Sequence, residues 1–186
     1  MNVVAFVVAM VLGFMLAEAR VSRAHERLLR AQGAREAPGD VYRLMAVLYP
    51  GVFVMMGVEG LYRARDAVAT VASYSPSWAA SGVLLFIASK ALKYWAIRAL
   101  GERWTFRVLV QPGRPLVTTG PYKYLSHPNY VAVVGEIVST AMMVSARISG
   151  PVALLLFGAV LWARIRVEER ALTSLRASVS ARPPQP

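Results

Sequence analysis

The sequence predicts an all-α integral membrane protein: a helical bundle of about five transmembrane helices, ending in a short C-terminal helical hairpin and a cytoplasmic C-terminal helix. Three observations carry the prediction. Of 186 residues, 56% are hydrophobic and only 17% are charged, with a mean hydropathy of +0.47, far from the mix of a soluble domain. The apolar residues gather into five stretches that approach the roughly 20 residues a helix needs to cross a bilayer. The basic residues lie in blocks between those stretches.

The first stretch, 2–17, ends in Ala17-Glu18-Ala19, which imitates a signal-peptide cleavage site. Arg20, Arg23, Arg27 and Arg30 follow the apolar core instead of preceding it, so the segment reads as a retained anchor with its N-terminus outside. Arg23, Arg27 and Arg30 recur at helical spacing ahead of Pro38-Gly39, which reads as a basic helix against anionic lipid and then a turn. The second stretch, 44–61, carries Glu59 near enough to its end to reach the interface. The third, 78–100, holds Lys90, Lys93 and Arg98 toward its cytoplasmic end, and Gln111-Pro112-Gly113-Arg114-Pro115 is a turn that separates it from the loop of residues 116–130. The fourth and fifth, 130–144 and 149–163, are joined by four residues and form a tight hairpin that barely crosses the hydrocarbon. Residues 1–176 read as one membrane domain, and the small, polar, proline-rich 177–186 as a disordered tail.

Charge supports this topology. Eighteen of the 21 Lys and Arg residues fall on one side of a five-span arrangement and three on the other, a positive-inside bias that puts both long loops and the C-terminus in the cytoplasm. The formal charge of +11 belongs to topology and not to nucleic acid, because the cations are not interleaved with aromatics on one surface. With no cysteine, disulfides, thiol nucleophiles and Cys-based metal sites are excluded, and two histidines do not suggest a metal site.

The chemistry concentrates in two places. In residues 116–130, Gly120, Pro121, His127 and Pro128 lie beside Tyr122, Tyr124 and Tyr130, just ahead of a membrane helix. Aromatic faces, one titratable imidazole and a constrained backbone are what an interfacial site needs; a helix-capping histidine and an aromatic belt account for the same residues. Glu136 lies inside the fourth span, where an ionisable group is costly enough to suggest function; pairing with an arginine, or protonation, also accounts for it. The second place is Arg164-Ile-Arg-Val-Glu-Glu-Arg170, leaving the fifth span. Arg164 and Glu168 share a helix face and offer a cation and an anion to a zwitterionic amino-acid group, although a solvated, salt-bridged helix exit has the same composition.

Together, Leu116-Val-Thr-Thr-Gly-Pro-Tyr122, His127-Pro128-Asn129-Tyr130 and Glu168-Glu169 following Arg164 resemble the isoprenylcysteine carboxyl methyltransferase family and its relatives among the phospholipid methyltransferases. The likeness spans residues 94–172. It implies a membrane enzyme that binds S-adenosylmethionine on the cytosolic side, between the His-Pro-x-Tyr loop and the Glu-Glu helix, while a lipophilic small-molecule or lipidated acceptor enters from the bilayer. By position, Gly120, Tyr122, His127, Tyr130 and Glu168 fall to the cofactor, with Arg164 and Glu169 beside them. His127 or Glu136 is the candidate base if the acceptor is a phenol; an ionised carboxylate needs none. The family usually has Arg before the His-Pro pair and Gly two residues after the Tyr, where Ser126 and Ala132 stand here. Phospholipid N-methylation is an alternative. So is NADPH-dependent reduction of the sterol reductase type, whose His-x-Asn-Tyr element Asn129-Tyr130 also resembles, and so is a non-catalytic scaffold.

Overall fold

The computed structural model describes residues 2–65, 76–111 and 116–180, with side chains described to residue 173. Five helices make up the bundle among these residues: α1 (Val3–Ala31), α2 (Tyr42–Arg65), α3 (Pro76–Leu100), α4 (Pro128–Met143) and α5 (Ser149–Ser180). A two-residue antiparallel pair, β1 (Arg35–Glu36) and β2 (Leu109–Val110), joins the segment after α1 to the segment after α3. This small departure from an all-α chain pins the two segments together. The expected turn at 112–115 lies outside the described residues.

Two expectations change at the ends. The anchor and the basic helix after it form one 29-residue helix, whose first turn is capped by Asn2 Oδ1 accepting the Val4 N–H at 3.0 Å. At about 1.5 Å per residue, α1 is long enough to span the hydrocarbon and continue through a headgroup layer. At the other end α5 runs on to Ser180, so positions 177–180 are helical instead of tail; 181–186 lie outside the described residues.

α1, α2 and α5 are long and apolar enough to cross a membrane. α4, with 16 residues, is short. α3 is long enough, and its hydropathy is lowered by lysines that the fold hides: Lys90 and Lys93 are buried, while Val83, Leu84, Ile87 and Trp95 face outward. The apolar core is shared by all five helices, through Val11, Phe53, Phe86, Ile137 and Phe157. α3 and α4 press close enough that a Cβ on Gly135 would overlap Ser89 Oγ, the kind of small-residue contact that lets membrane helices approach.

The hidden lysines complete a charge quartet. Lys90 Nζ lies 2.7 Å from Glu18 Oε1 and 3.2 Å from Glu136 Oε1, and Lys93 Nζ lies 2.9 Å from both Glu18 Oε2 and Glu136 Oε1. Tyr49 on α2 donates its hydroxyl to Glu136 Oε2 at 2.6 Å, so four helices meet here. Two cations balance two anions in a region where an unpaired charge would be very costly. Glu136 is thus paired with two lysines and not with an arginine.

Glu59 does comparable work at the opposite end. Its carboxylate accepts the backbone N–H groups of Arg147, Ile148 and Ser149 at 3.0, 3.2 and 2.7 Å, together with the Ser149 hydroxyl and Arg63 Nε. It therefore satisfies the donors left over at the start of α5 and supports the short connection from α4, where Ser145 takes a left-handed φ of 56°.

Candidate active site

Pro128 sets where the site begins. Its ring fixes φ for the first helical residue of α4 and keeps His127 out of the helical region, with φ −133° and ψ 64°. His127 occupies the cap position but makes no side-chain capping bond, which removes the capping explanation. Its ring instead stacks on Tyr130, with centroids 5.4 Å apart and planes 21° apart.

Tyr130 then connects α4 to α5. Its hydroxyl donates to Glu168 Oε2 at 2.5 Å and accepts from Arg164 Nε at 3.3 Å. His127 Nδ1 lies 3.9 Å from Glu168, and His127 Nε2 lies 3.8 Å from the mostly exposed Glu169. The structure thus gathers His127, Tyr130, Arg164, Glu168 and Glu169 at one place, from segments more than 30 residues apart in sequence.

Arg164 is more committed than its position suggests. The buried guanidinium pairs with Asp40 and donates to the Phe106 carbonyl at 2.6 Å as well as to Tyr130. Much of its donor capacity is used in holding the site together. Tyr122 lies in a 3₁₀ turn, Gly120–Lys123, beside the same site. Burial, reinforced by the Glu168 carboxylate, pushes its phenol up from the ordinary value, so it acts as a donor and not as a base at neutral pH.

Asp40, Ser22 and Trp104 also build the site, and sequence reasoning did not find them. Asp40 accepts the Val108 N–H at 2.8 Å and the Tyr42 N–H at 3.0 Å as well as pairing with Arg164. Ser22 Oγ accepts the Phe106 N–H, and His25 bonds the Trp104 carbonyl, so α1 holds the 104–108 segment over the site. An Asp just ahead of a helix was a visible capping signal for Asp40; its reach to α5 was not visible.

These parts enclose a cavity of about 750 Å³, a size that suits a cofactor-sized ligand with room beside it. One end is polar and aromatic, lined by Tyr122, His127, Asn129, Tyr130 and Glu168. The other is apolar, lined by Leu12, Met15 and Leu16 of α1 and Met45, Ala46 and Pro50 of α2. Leu16 is 57% exposed, so that wall continues to the lipid-facing surface.

Three expected residues stand apart from this cavity: Gly120, Glu136 and Glu169, the last mostly exposed beside His127. Gly120 does not line it; the glycine begins the 3₁₀ turn at φ 61°, and a Cβ there would come within 2.9 Å of Ala99 Cβ. Its requirement is conformation and close packing against α3. Glu136 is also absent from the cavity wall and is occupied in the quartet, although its partners Tyr49 and Lys93 do reach the wall.

Comparison with known proteins agrees with this geometry. The model of the isoprenylcysteine carboxyl methyltransferase (ICMT) family matches residues 82–174, the part that carries α3, the His127 loop, α4 and the Glu168 helix. An uncharacterized protein of Bacillus subtilis (strain 168), YpbQ, is 30% identical over 156 residues, covering 84% of this chain and 88% of the relative. An uncharacterized protein of Haemophilus influenzae is 23% identical over 156 residues, covering 83% of this chain and 86% of its own length. A match over half the chain, which includes His127, Tyr130, Arg164 and Glu168, makes this protein a member of the isoprenylcysteine carboxyl methyltransferase family, a family of membrane methyltransferases.

Proposed function

We propose that this protein transfers a methyl group from S-adenosylmethionine to a carboxylate or hydroxyl oxygen of a lipophilic acceptor, at the cytoplasmic face of a bacterial cell membrane. The supporting observation is the continuous cavity that joins the polar Tyr130–Glu168 end to the apolar α1/α2 end. A charged, water-soluble donor and a membrane-dissolved acceptor need such a two-ended site if they are to meet.

The residues present suit the cofactor. Glu168 offers a carboxylate to its ammonium, and the Tyr130 hydroxyl and remaining Arg164 N–H groups lie beside that carboxylate. Tyr122 supplies a protonated phenol, and His127 an aromatic face and ring nitrogens. When bound, the group supplies an electrophilic methyl on a sulfonium. The protein's share is to align the acceptor oxygen with that methyl and to keep water out, so positioning carries most of the rate. The 104–108 segment, held by Ser22, His25 and Arg164, covers the site and serves that exclusion.

The test is transfer of radiolabelled methyl from S-adenosylmethionine into organic-extractable material by membranes containing the protein or its His127→Ala variant. Label that depends on His127 supports the reading, and methanol released by mild base identifies a carboxyl ester. Binding of NADPH with no binding of S-adenosylmethionine to the purified protein overturns it.

A further inference from the structure

Arg164 and Glu168 stand four residues apart on α5, the spacing at which an arginine and a glutamate ordinarily pair along one helix face. Here the ion pair of Arg164 is instead with Asp40, which arrives from the segment between β1 and α2. The guanidinium also donates to the Phe106 carbonyl at 2.6 Å and to the Tyr130 hydroxyl at 3.3 Å. Glu168 takes the Tyr130 hydroxyl proton at 2.5 Å, and His127 Nδ1 lies 3.9 Å from it.

Asp40 is fixed where it can hold that cation. Its side chain is buried, and the backbone anchors both carboxylate oxygens: Oδ1 accepts the Tyr42 N–H at 3.0 Å and Oδ2 the Val108 N–H at 2.8 Å. The guanidinium is buried beside it, whereas Glu168 keeps 31% of its side chain exposed and lies on the cavity wall, to which Asp40 does not belong. A buried guanidinium deprived of Asp40 needs another carboxylate, because an uncompensated buried charge is costly. The carboxylate on its own helix face is Glu168, already bridged to it through the Tyr130 oxygen.

We infer that Asp40 is a positioning residue for the cofactor site: it claims Arg164 as its counter-ion and so leaves the Glu168 carboxylate open to the ammonium group of a zwitterionic amino-acid ligand. Asp40 stands off the cavity wall and acts through Arg164. Without the Asp40 charge, Arg164 turns to Glu168, closes the pair along α5 and takes the carboxylate away from the ligand. The inference rests on the methyltransferase reading for the identity of the ligand, and on the ion-pair geometry alone for the exchange of partners.

The test combines thermal unfolding and titration of S-adenosylmethionine, both on the purified full-length protein in detergent, with Asp40→Asn, which keeps one acceptor oxygen and loses the charge. In the wild-type background Glu168→Gln should leave the melting temperature nearly unchanged. In the Asp40→Asn background the same change removes the new counter-ion of Arg164 and should lower the melting temperature by about 5 to 10 °C. Asp40→Asn should weaken S-adenosylmethionine about tenfold, with no further loss when Glu168→Gln is added, because both act on one carboxylate. Adding Arg164→Gln to Asp40→Asn frees Glu168 and should recover affinity severalfold over Asp40→Asn alone, which a merely structural role of Asp40 does not give. An equal effect of Glu168→Gln on melting in both backgrounds, additive losses of affinity, or no recovery in Asp40→Asn/Arg164→Gln would each overturn the inference. Where Asp40→Asn alone does not fold, Asp40→Asn/Arg164→Lys, with its compact ammonium, takes its place in the melting comparison under the same expectation. Absence of S-adenosylmethionine binding by the wild-type protein overturns the methyltransferase reading and not the exchange of partners, which the melting comparison decides by itself.

Discussion

At the scale of single residues, one phenol oxygen organises the candidate site. Tyr130 gives its proton to Glu168 and accepts from Arg164, so the two charged residues of α5 are held in place by a side chain of α4. Their roles separate by burial. Glu168, on the cavity wall and partly exposed, is free to meet a ligand, and Glu168→Gln should weaken S-adenosylmethionine by about tenfold, the worth of about one charge-assisted hydrogen bond, while leaving the melting temperature nearly unchanged. Calorimetric titration checks this; unchanged affinity removes Glu168 from the site. Arg164 is buried against Asp40, so Arg164→Met strands a buried carboxylate and should cost about 3 to 5 kcal/mol of stability. Thermal unfolding in detergent measures that loss, and a variant of normal stability would mean Asp40 finds another partner. His127, Tyr130 and Glu168 were legible in the sequence because a local motif or helical spacing carries them. The commitment of Arg164 was not, because Asp40 lies 124 residues away and no local pattern encodes that contact.

At the scale of elements, the lysines of α3 show how sequence and fold divide the information. Hydropathy alone reads Lys90 and Lys93 as the cytoplasmic end of a span, since a lysine in an apolar helix is expected to reach for the interface. In the bundle both point inward to Glu18 and Glu136, and the helix turns Val83, Leu84 and Ile87 to the outside. The positions of the helices follow from apolar periodicity, but which intramembrane charges answer one another follows only from packing α1, α3 and α4 together. Breaking the quartet and replacing it should have opposite results. Glu136→Leu leaves two buried ammonium groups with one carboxylate and should lower stability by about 3 to 5 kcal/mol; Glu136→Leu combined with Lys93→Met restores charge balance around the remaining Lys90–Glu18 pair and should recover most of that loss. Thermal unfolding of the single and double variants decides it, and additive losses would show that the quartet is not a coupled unit. Methyl transfer by the double variant should nevertheless fall, because Lys93 belongs to the cavity wall.

At the scale of the whole molecule, two independent features sort the same residues to opposite ends. The charge count sets Arg63, Arg65 and Arg147 against the other eighteen cations. In the structure Glu59, bonded to Arg63, also holds the backbone of residues 147–149, so the end of α2 and the α4–α5 connection lie together. At the other end β1 pairs with β2, and Asp40 joins Arg164 of α5, which gathers the segments after α1 and α3 around the cavity. Three of the eighteen cations, Lys90, Lys93 and Arg164, are buried in ion pairs and do not act as topogenic charges, yet the imbalance among the rest keeps its sign. The cation-rich end is also where the polar residues of the cavity wall lie, so under the proposed function an orientation with positive charge in the cytoplasm would give the site access to a cytosolic methyl donor. The prediction is a fluorescent reporter fused after Pro186 that folds and glows in the cytoplasm, and a phosphatase at the same position that stays inactive, with the converse result for fusions at the 144–148 connection. A C-terminal phosphatase active only outside would invert the molecule, placing Glu168 and His127 away from any cytosolic donor, and the methyltransferase reading would fall with the topology.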